Sequence, residues 1–192
     1  LPLALTEGES RDVVVWRSRL VARVSREGSA FVSAFCDRPL SLVYMPDDVV
    51  RGVNPAYGRP TDRTSFADGY PFLLLSEKSL ADLSERVGAQ MVVERFRPNL
   101  VIDGDEPHVE DRMISFTIGD VRFRGVKPCE RCVVTTIDPV RGVAGREPLR
   151  TLAKYRRGPD GGVLFGMNLV HDGPGSVRVG DEVRTLRTAD RP

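Results

Sequence analysis

The sequence predicts a mainly β protein with a few helices, built as a β-barrel or a sandwich. Short β-branched and apolar runs recur along the chain, broken by Gly- and Pro-containing turns. Two of them, Met113 to Ile118 and Val121 to Val126, are joined by Gly119-Asp120, a turn pair that suits a hairpin. Helical spacing of apolar residues is confined to a few short stretches.

The elements follow in chain order. Residues 1–11 read as a loop entering the fold, and Asp12 to Trp16 as a short strand. Gly28 to Cys36 places Phe31, Ala34 and Phe35 at helical spacing, and Leu40 to Tyr44 reads as a strand. Met45 to Arg63 is rich in Pro, Gly and charge, so it is either a mobile surface loop or a loop covering a site. Ser65 to Pro71 is a turn that leads into an apolar strand, Phe72 to Leu75. Ser76 to Val87 carries the clearest helix signal: Ser76 or Ser79 as cap, Leu80, Leu83 and Val87 on one face, and Gly88 as stop. After the hairpin, Val133 to Ile137 is β-branched throughout and predicts a strand. Arg146 to Arg156 predicts a helix with Leu149, Leu152, Ala153 and Tyr155 toward the core. The runs Val163 to Val170, Ser176 to Val179 and Glu182 to Leu186 predict closing strands, broken by Gly173-Pro174-Gly175 and Gly180-Asp181.

At 192 residues the chain can bury one sizeable core, or a core plus a smaller subdomain. A net charge of +1 gives no global signal for nucleic acid or for a membrane surface. Arginine dominates the cations: all but Lys78, Lys127 and Lys154 are arginine, a fork that suits phosphates and carboxylates, or a coding bias. Three cysteines without even pairing argue for a reducing, cytoplasmic setting. No apolar stretch approaches the ~20 residues of a membrane span. Leu1-Pro2-Leu3-Ala4-Leu5 is short for a signal-peptide core and lacks a basic lead.

The most informative segment is Lys127-Pro128-Cys129-Glu130-Arg131-Cys132, followed by the β-branched run. A strand beginning at Cys129 would place the two thiols on opposite faces, roughly 10 Å apart, too far to share a metal or a disulfide. A thioredoxin-like pair would open a helix, and a zinc site would need further ligands from the scattered Cys36, His108 and His171. Two readings remain open: a pair of inert, partly buried thiols, or one working thiolate, Cys132, beside the positive Arg131.

In Glu94 to Leu100, Pro98 biases Arg97 toward an extended backbone, which would put Arg95, Arg97 and Asn99 on one face. That face either grips an anion such as a phosphate or is simply solvated. His108 and His171 lie in polar, loop-like contexts and read as surface histidines. Nucleophile-elbow, phosphate-loop and dinucleotide motifs are absent from the sequence.

In order along the chain come Asp68-Gly69-Tyr70-Pro71-Phe72, Leu75-Ser76-Glu77-Lys78-Ser79-Leu80, Arg95-Phe96-Arg97-Pro98-Asn99, the Cys129 to Cys132 motif with Thr135-Thr136-Ile137-Asp138-Pro139, Gly166-Met167-Asn168, and Gly175 to Val183. Together they resemble the MOSC family, a β-barrel domain named after the C-terminal domain of molybdenum cofactor sulfurase. The branch they resemble is that of the bacterial relatives of the mitochondrial amidoxime-reducing component. The likeness runs from about Ser65 to Leu186. It divides the chain into residues 1–64, the remnant of a preceding β-barrel region, a MOSC domain over 65–188, and a tail over 189–192.

The resemblance implies a molybdenum–molybdopterin cofactor with Cys132 as the protein ligand to the metal. It further implies Arg97 and Asn99 on the pterin or its phosphate, with Asp68, Gly69, Glu130, Arg131 and Asn168 lining the cofactor. The implied activity is reduction of small N-hydroxylated compounds of the amidoxime or hydroxylamine type. Electrons would come from a separate ferredoxin, flavodoxin or reductase-type protein, since no iron–sulfur domain follows Leu186. The alternatives are a cofactor carrier or sulfur-transfer module without turnover, and a structural fragment that binds no cofactor. Pyridoxal phosphate is not expected, because none of the three lysines has a recognisable cofactor context.

Overall fold

The computed structural model describes residue 5 and residues 7–189. Most of the Leu1 to Leu5 segment and the tail beyond Ala189 lie outside the described residues. The fold is mainly β, and it divides into two compact units, residues 1–55 with 59–69 and residues 56–58 with 70–192.

The first unit holds a three-stranded antiparallel sheet in the order β1-β2-β3: β1 (Ser10–Val15), β2 (Ser18–Ser25) and β3 (Leu42–Tyr44). The sequence reading missed β2, although its Leu20 and Ala22 are buried at period-two spacing between arginines. Helix α1 (Arg26–Cys36) starts where the Ser25 hydroxyl accepts from Gly28 N at 3.1 Å. Phe31 and Phe35 do recur at helical spacing, but they face solvent and stack on each other. The Met45 to Arg63 stretch is tied down rather than structureless. Arg51 is buried at its centre and donates to the carbonyls of Ser65, Ala67 and Asp68 at 2.5–2.7 Å.

The second unit holds a six-stranded sheet in the order β5-β4-β8-β7-β6-β9. Its strands are β4 (Phe72–Ser76), β5 (Leu100–Ile102), β6 (Met113–Ile118), β7 (Val121–Glu130), β8 (Leu164–Asp172) and β9 (Val183–Thr188). All neighbours are antiparallel except β4 and β5, which run parallel with helix α2 (Glu77–Val87) in the crossover between them. The sheet curls into an open half-barrel, and a cavity of about 760 Å³ lies between its two edge strands, β5 and β9. One face buries Leu74, Phe116, Phe123, Met167 and Leu169. The other, under α2 and helix α3 (Leu149–Tyr155), buries Leu75, Leu83, Phe96, Leu152 and Phe165. Gly166 lets β8 serve both faces. Its φ is +84°, and a Cβ there would come within 2.8 Å of the Leu74 carbonyl.

Three strand expectations fail. Val133 to Ile137 is not a strand: Val133–Thr136 forms a 3-10 turn, and β7 stops at Glu130, whose partner Leu164 begins β8. With no further partner strand, the Thr135 and Thr136 hydroxyls donate back to the Cys132 and Val133 carbonyls at 3.0 and 2.7 Å and wind the chain. Cys129 thus lies near the end of β7 and Cys132 just beyond it, and the opposite-face argument, which needed one strand through both, falls. Ser176 to Val179 is a turn closed by Arg178 and Asp181, whose backbone N–H groups bond each other's side chain and carbonyl. The Arg95 to Asn99 stretch is also not extended: Val93–Arg95 is a 3-10 turn and Arg97 has φ +53°. Pro98 excludes the right-handed helical region for Arg97, and the chain satisfies that restriction in the left-handed region.

Among the described residues no helix is long and apolar enough to cross a membrane.

Candidate cofactor site

The site residues of the second unit gather around one register row of the sheet. Lys127 of β7 lies opposite Asn168 of β8, and Asn168 opposite Leu73 of β4. Residues in register share a face, so Lys127, Asn168 and Leu73 project together. Asn99 closes the row at the β5 end: its backbone N–H donates to the Leu73 carbonyl and its Oδ1 accepts from the Leu73 N–H, both at 2.9 Å. The Asn99 side chain therefore acts as one more rung of the ladder, and its amide N–H₂ has no partner among the described residues.

Cys132 is exposed just beyond the end of β7. Its neighbour Arg131 does not pair with it. The Arg131 Nη1 lies 3.0 Å from the Cys129 Sγ, Nη2 donates to the Phe96 carbonyl at 2.7 Å, and the guanidinium lies over the Phe96 ring. The Arg131 backbone N–H is bonded to the Val163 carbonyl at 2.7 Å, and its buried Nε has no partner. Arg131 thus ties the cysteine turn to the peptide that precedes Arg97, and its charge is already engaged. The expected pairing of Arg131 with Cys132 is corrected: it contacts Cys129.

Arg95 makes a second tie. It donates to the Thr135 and Ile137 carbonyls at 3.3 and 2.9 Å and pairs with Asp138 at 3.3 Å. It is a brace and not part of an anion-binding face with Arg97. Arg97 itself is exposed, and its guanidinium has no hydrogen-bond or ion-pair partner among the described residues. Glu130 is engaged by Lys127, whose Nζ is 2.8 Å away. Asp68 and Gly69 belong to the first unit, where Arg51 holds the carbonyls of their turn and Trp16 Nε1 lies 3.4 Å from Asp68 Oδ1.

The arrangement presents one exposed thiol, one unpartnered guanidinium and one free amide, on turns pinned by two arginines. A thiolate is a soft metal ligand, and a guanidinium fork matches a phosphate. Nothing here chelates a metal by itself: no group of three or more His, Cys, Asp or Glu that could hold an ion occurs among the described residues. The donor set therefore suits a metal carried by an anionic organic cofactor, which Cys132 would complete and Arg97 and Asn99 would hold.

His108 is not a surface histidine. It packs between the Tyr155 and Phe165 rings, its backbone N–H donates to the Ser79 hydroxyl at 2.7 Å, and Nε2 lies 3.3 Å from Asp82. Burial, with the nearby Arg156 charge, pushes its pKa below the usual histidine value. His171 is exposed, as expected. Lys127, Arg95 as a brace, and Arg51 were missed as determinants. The available signal for Lys127 was that it is one of only three lysines.

A family model for the MOSC domain matches residues 61–184. Similar proteins include the mitochondrial amidoxime-reducing component 1 of Homo sapiens, 43% identical over 136 residues, which cover 67% of this chain and 40% of that protein. The mitochondrial amidoxime reducing component 2 of Rattus norvegicus is 42% identical over 127 residues, covering 62% of this chain and 38% of that protein. The molybdenum cofactor sulfurase of Solanum lycopersicum is 33% identical over 204 residues, covering 93% of this chain but 25% of that protein. The chain thus spans well under half the length of these relatives. With its curled β-sheet, its cysteine turn and a match over most of its length, the chain belongs to the MOSC domain family.

Proposed function

We propose that this chain is the cofactor-holding part of an oxidoreductase that carries a molybdenum–pterin cofactor and reduces N-hydroxylated compounds. The observation that carries this reading is the exposed Cys132 thiol, next to Arg131, whose guanidinium bonds the Phe96 carbonyl just before the unpartnered Arg97. The names of the amidoxime-reducing relatives supply the substrate class. When bound, the cofactor supplies two-electron oxygen-removal chemistry. The net reaction takes an N–OH group, two electrons and two protons to N–H and water. Cys132 would ligate the metal, Arg97 would neutralise the cofactor's phosphate, and the Asn99 amide and Asn168 would orient the pterin. Arg131 and Arg95 keep these turns in place. A separate ferredoxin, flavodoxin or reductase-type protein would deliver the electrons.

The sulfurase similarity, which extends over 93% of the chain, favours a second reading: a carrier or sulfur-transfer module with Cys132 as its working thiol. Benzamidoxime turnover by the cofactor-loaded protein, driven by reduced methyl viologen, separates the two. The reductase reading expects turnover that Cys132→Ser abolishes with an unchanged melting temperature, while Cys129→Ser retains most of it. Full activity of Cys132→Ser would sink the assignment. A loaded wild type without turnover would select the carrier.

A further inference from the structure

Residues 136–145 form a small hairpin just beyond Cys132. Ile137 bridges Ala144, Asp138 N bonds the Val143 carbonyl, and Gly145 N bonds the Thr136 carbonyl. At the tip, Asp138 Oδ1 accepts from both the Val140 and Arg141 N–H groups at 3.0 and 2.9 Å. Those two bonds, with the Arg95 charge, hold the Asp138 carboxyl below its ordinary pKa. Arg95 pins the base. The hairpin is thus rigidly braced, yet its apolar side chains have no cover. Val140 is 90% exposed, Val143 63%, and Val133, in the turn that joins the hairpin to Cys132, 65%. Three largely exposed β-branched residues within eleven positions, on a preformed support, offer a surface for contact.

Its charge is one-sided. Arg141 at the tip and Arg146 and Arg150 just past the base are exposed, with no ion-pair partner among the described residues. The carboxylates of the same stretch are engaged: Asp138 as above, and Glu147 by the Thr151 N–H at 3.0 Å. Glu94, in the turn before Arg97, is an exposed carboxylate. Exposed apolar side chains interleaved with unpaired arginines along one segment fit an acidic protein surface. The shape argues against a small molecule, because such sites are concave and this tip projects into solvent.

The geometry points to the 136–145 hairpin as the docking surface for an acidic electron-transfer protein that reduces the site beside it. This rests on the reductase reading, and the experiment separates the two. Val140→Asp and Arg141→Glu are made in the full-length, cofactor-loaded protein, and both are checked by melting temperature. Neither side chain belongs to the cofactor site. Benzamidoxime reduction is then driven by reduced methyl viologen or by a reduced flavodoxin with an acidic face, and flavodoxin binding is measured by calorimetry. The expected result is viologen-driven turnover within about twofold of wild type. Flavodoxin-driven kcat/KM should fall, and its Kd rise, by about tenfold or more, with a weaker salt dependence for Arg141→Glu. Equal losses with both reductants would overturn the proposal in favour of a substrate role. Unchanged flavodoxin kinetics and binding would overturn it too. A wild type inactive with viologen defeats the reductase reading instead, and flavodoxin binding alone then decides whether the hairpin docks it.

Discussion

Arg95, Arg97 and Arg131 share a side-chain type and a neighbourhood, and the fold gives them different work. Arg95 and Arg131 spend their donors on backbone carbonyls, a carboxylate and a sulfur, so each is structural. Arg97 spends none. Arg131→Ala is therefore expected to cost about 1.5–3 kcal/mol in urea unfolding, the usual worth of hydrogen bonds to a charged group. Arg97→Ala is expected to unfold like wild type but to lose cofactor, read as molybdenum content after purification. The reverse pattern would show that the roles are exchanged. Asn99 combines both roles: Asn99→Ala leaves the Leu73 N–H without its acceptor and removes the free amide.

Local signals suffice for an element when every one of them agrees. In α2 the Ser76 hydroxyl accepts from Ser79 N at 3.1 Å, Leu83 is fully buried with Leu80 and Val87 packed on the same cluster, and Gly88 caps the end. Ser76→Ala is expected to destabilise the fold by about 1–2 kcal/mol, since the cap is buried and also meets the Ser79 hydroxyl. Thermal or urea unfolding measures this, and a change below the error of the measurement would mean that the cap is redundant. The Val133 to Thr136 turn shows the contrary case. Its residues favour a strand, but a strand needs a partner, and β8 offers none beyond Leu164. The Thr135 and Thr136 hydroxyls instead bond carbonyls three residues back, and the chain coils.

Across the second unit, the polar cluster around His108 knits α2, α3 and the turn before β6 together. Around the imidazole are Asp82 from α2, itself paired with Arg86, Glu110 and Asp111 from the turn, Tyr155 from α3 and Arg156 just past its end, with Tyr155 pushed up to about 12 mainly by burial. The carboxylates favour the charged ring, but burial and Arg156 oppose it more strongly, so the folded pKa lies below 6.5. The unfolded state then takes up the proton first as pH falls. Stability is expected to decline on acidification from about pH 7 through 6.5 and to level off below the folded pKa. His108→Gln should flatten that part of the profile. Melting temperatures between about pH 5 and 8 provide the check, and a wild type that gains stability on acidification in this range would refute the sign.

The β-rich class, the capped helix and the Gly119-Asp120 hairpin were legible in the chain because each depends on neighbours a few residues away. So was the family likeness, which rests on motifs in fixed order. Contacts between distant residues settled the rest. Arg131 turned to Cys129 because the Phe96 carbonyl, 35 positions back, was the acceptor in reach. Asn99 became a ladder rung because β5 pairs with β4 only from Leu100 onward, so the Asn99 side chain meets the Leu73 N–H one step earlier. His108 was buried because α2 and α3 close over it. Periodicity and propensity report what a segment prefers, but a polar group's partner is decided by which donor or acceptor the completed sheet brings within three ångströms. At this site that choice separates the arginines that hold the protein together from the one left free for a ligand.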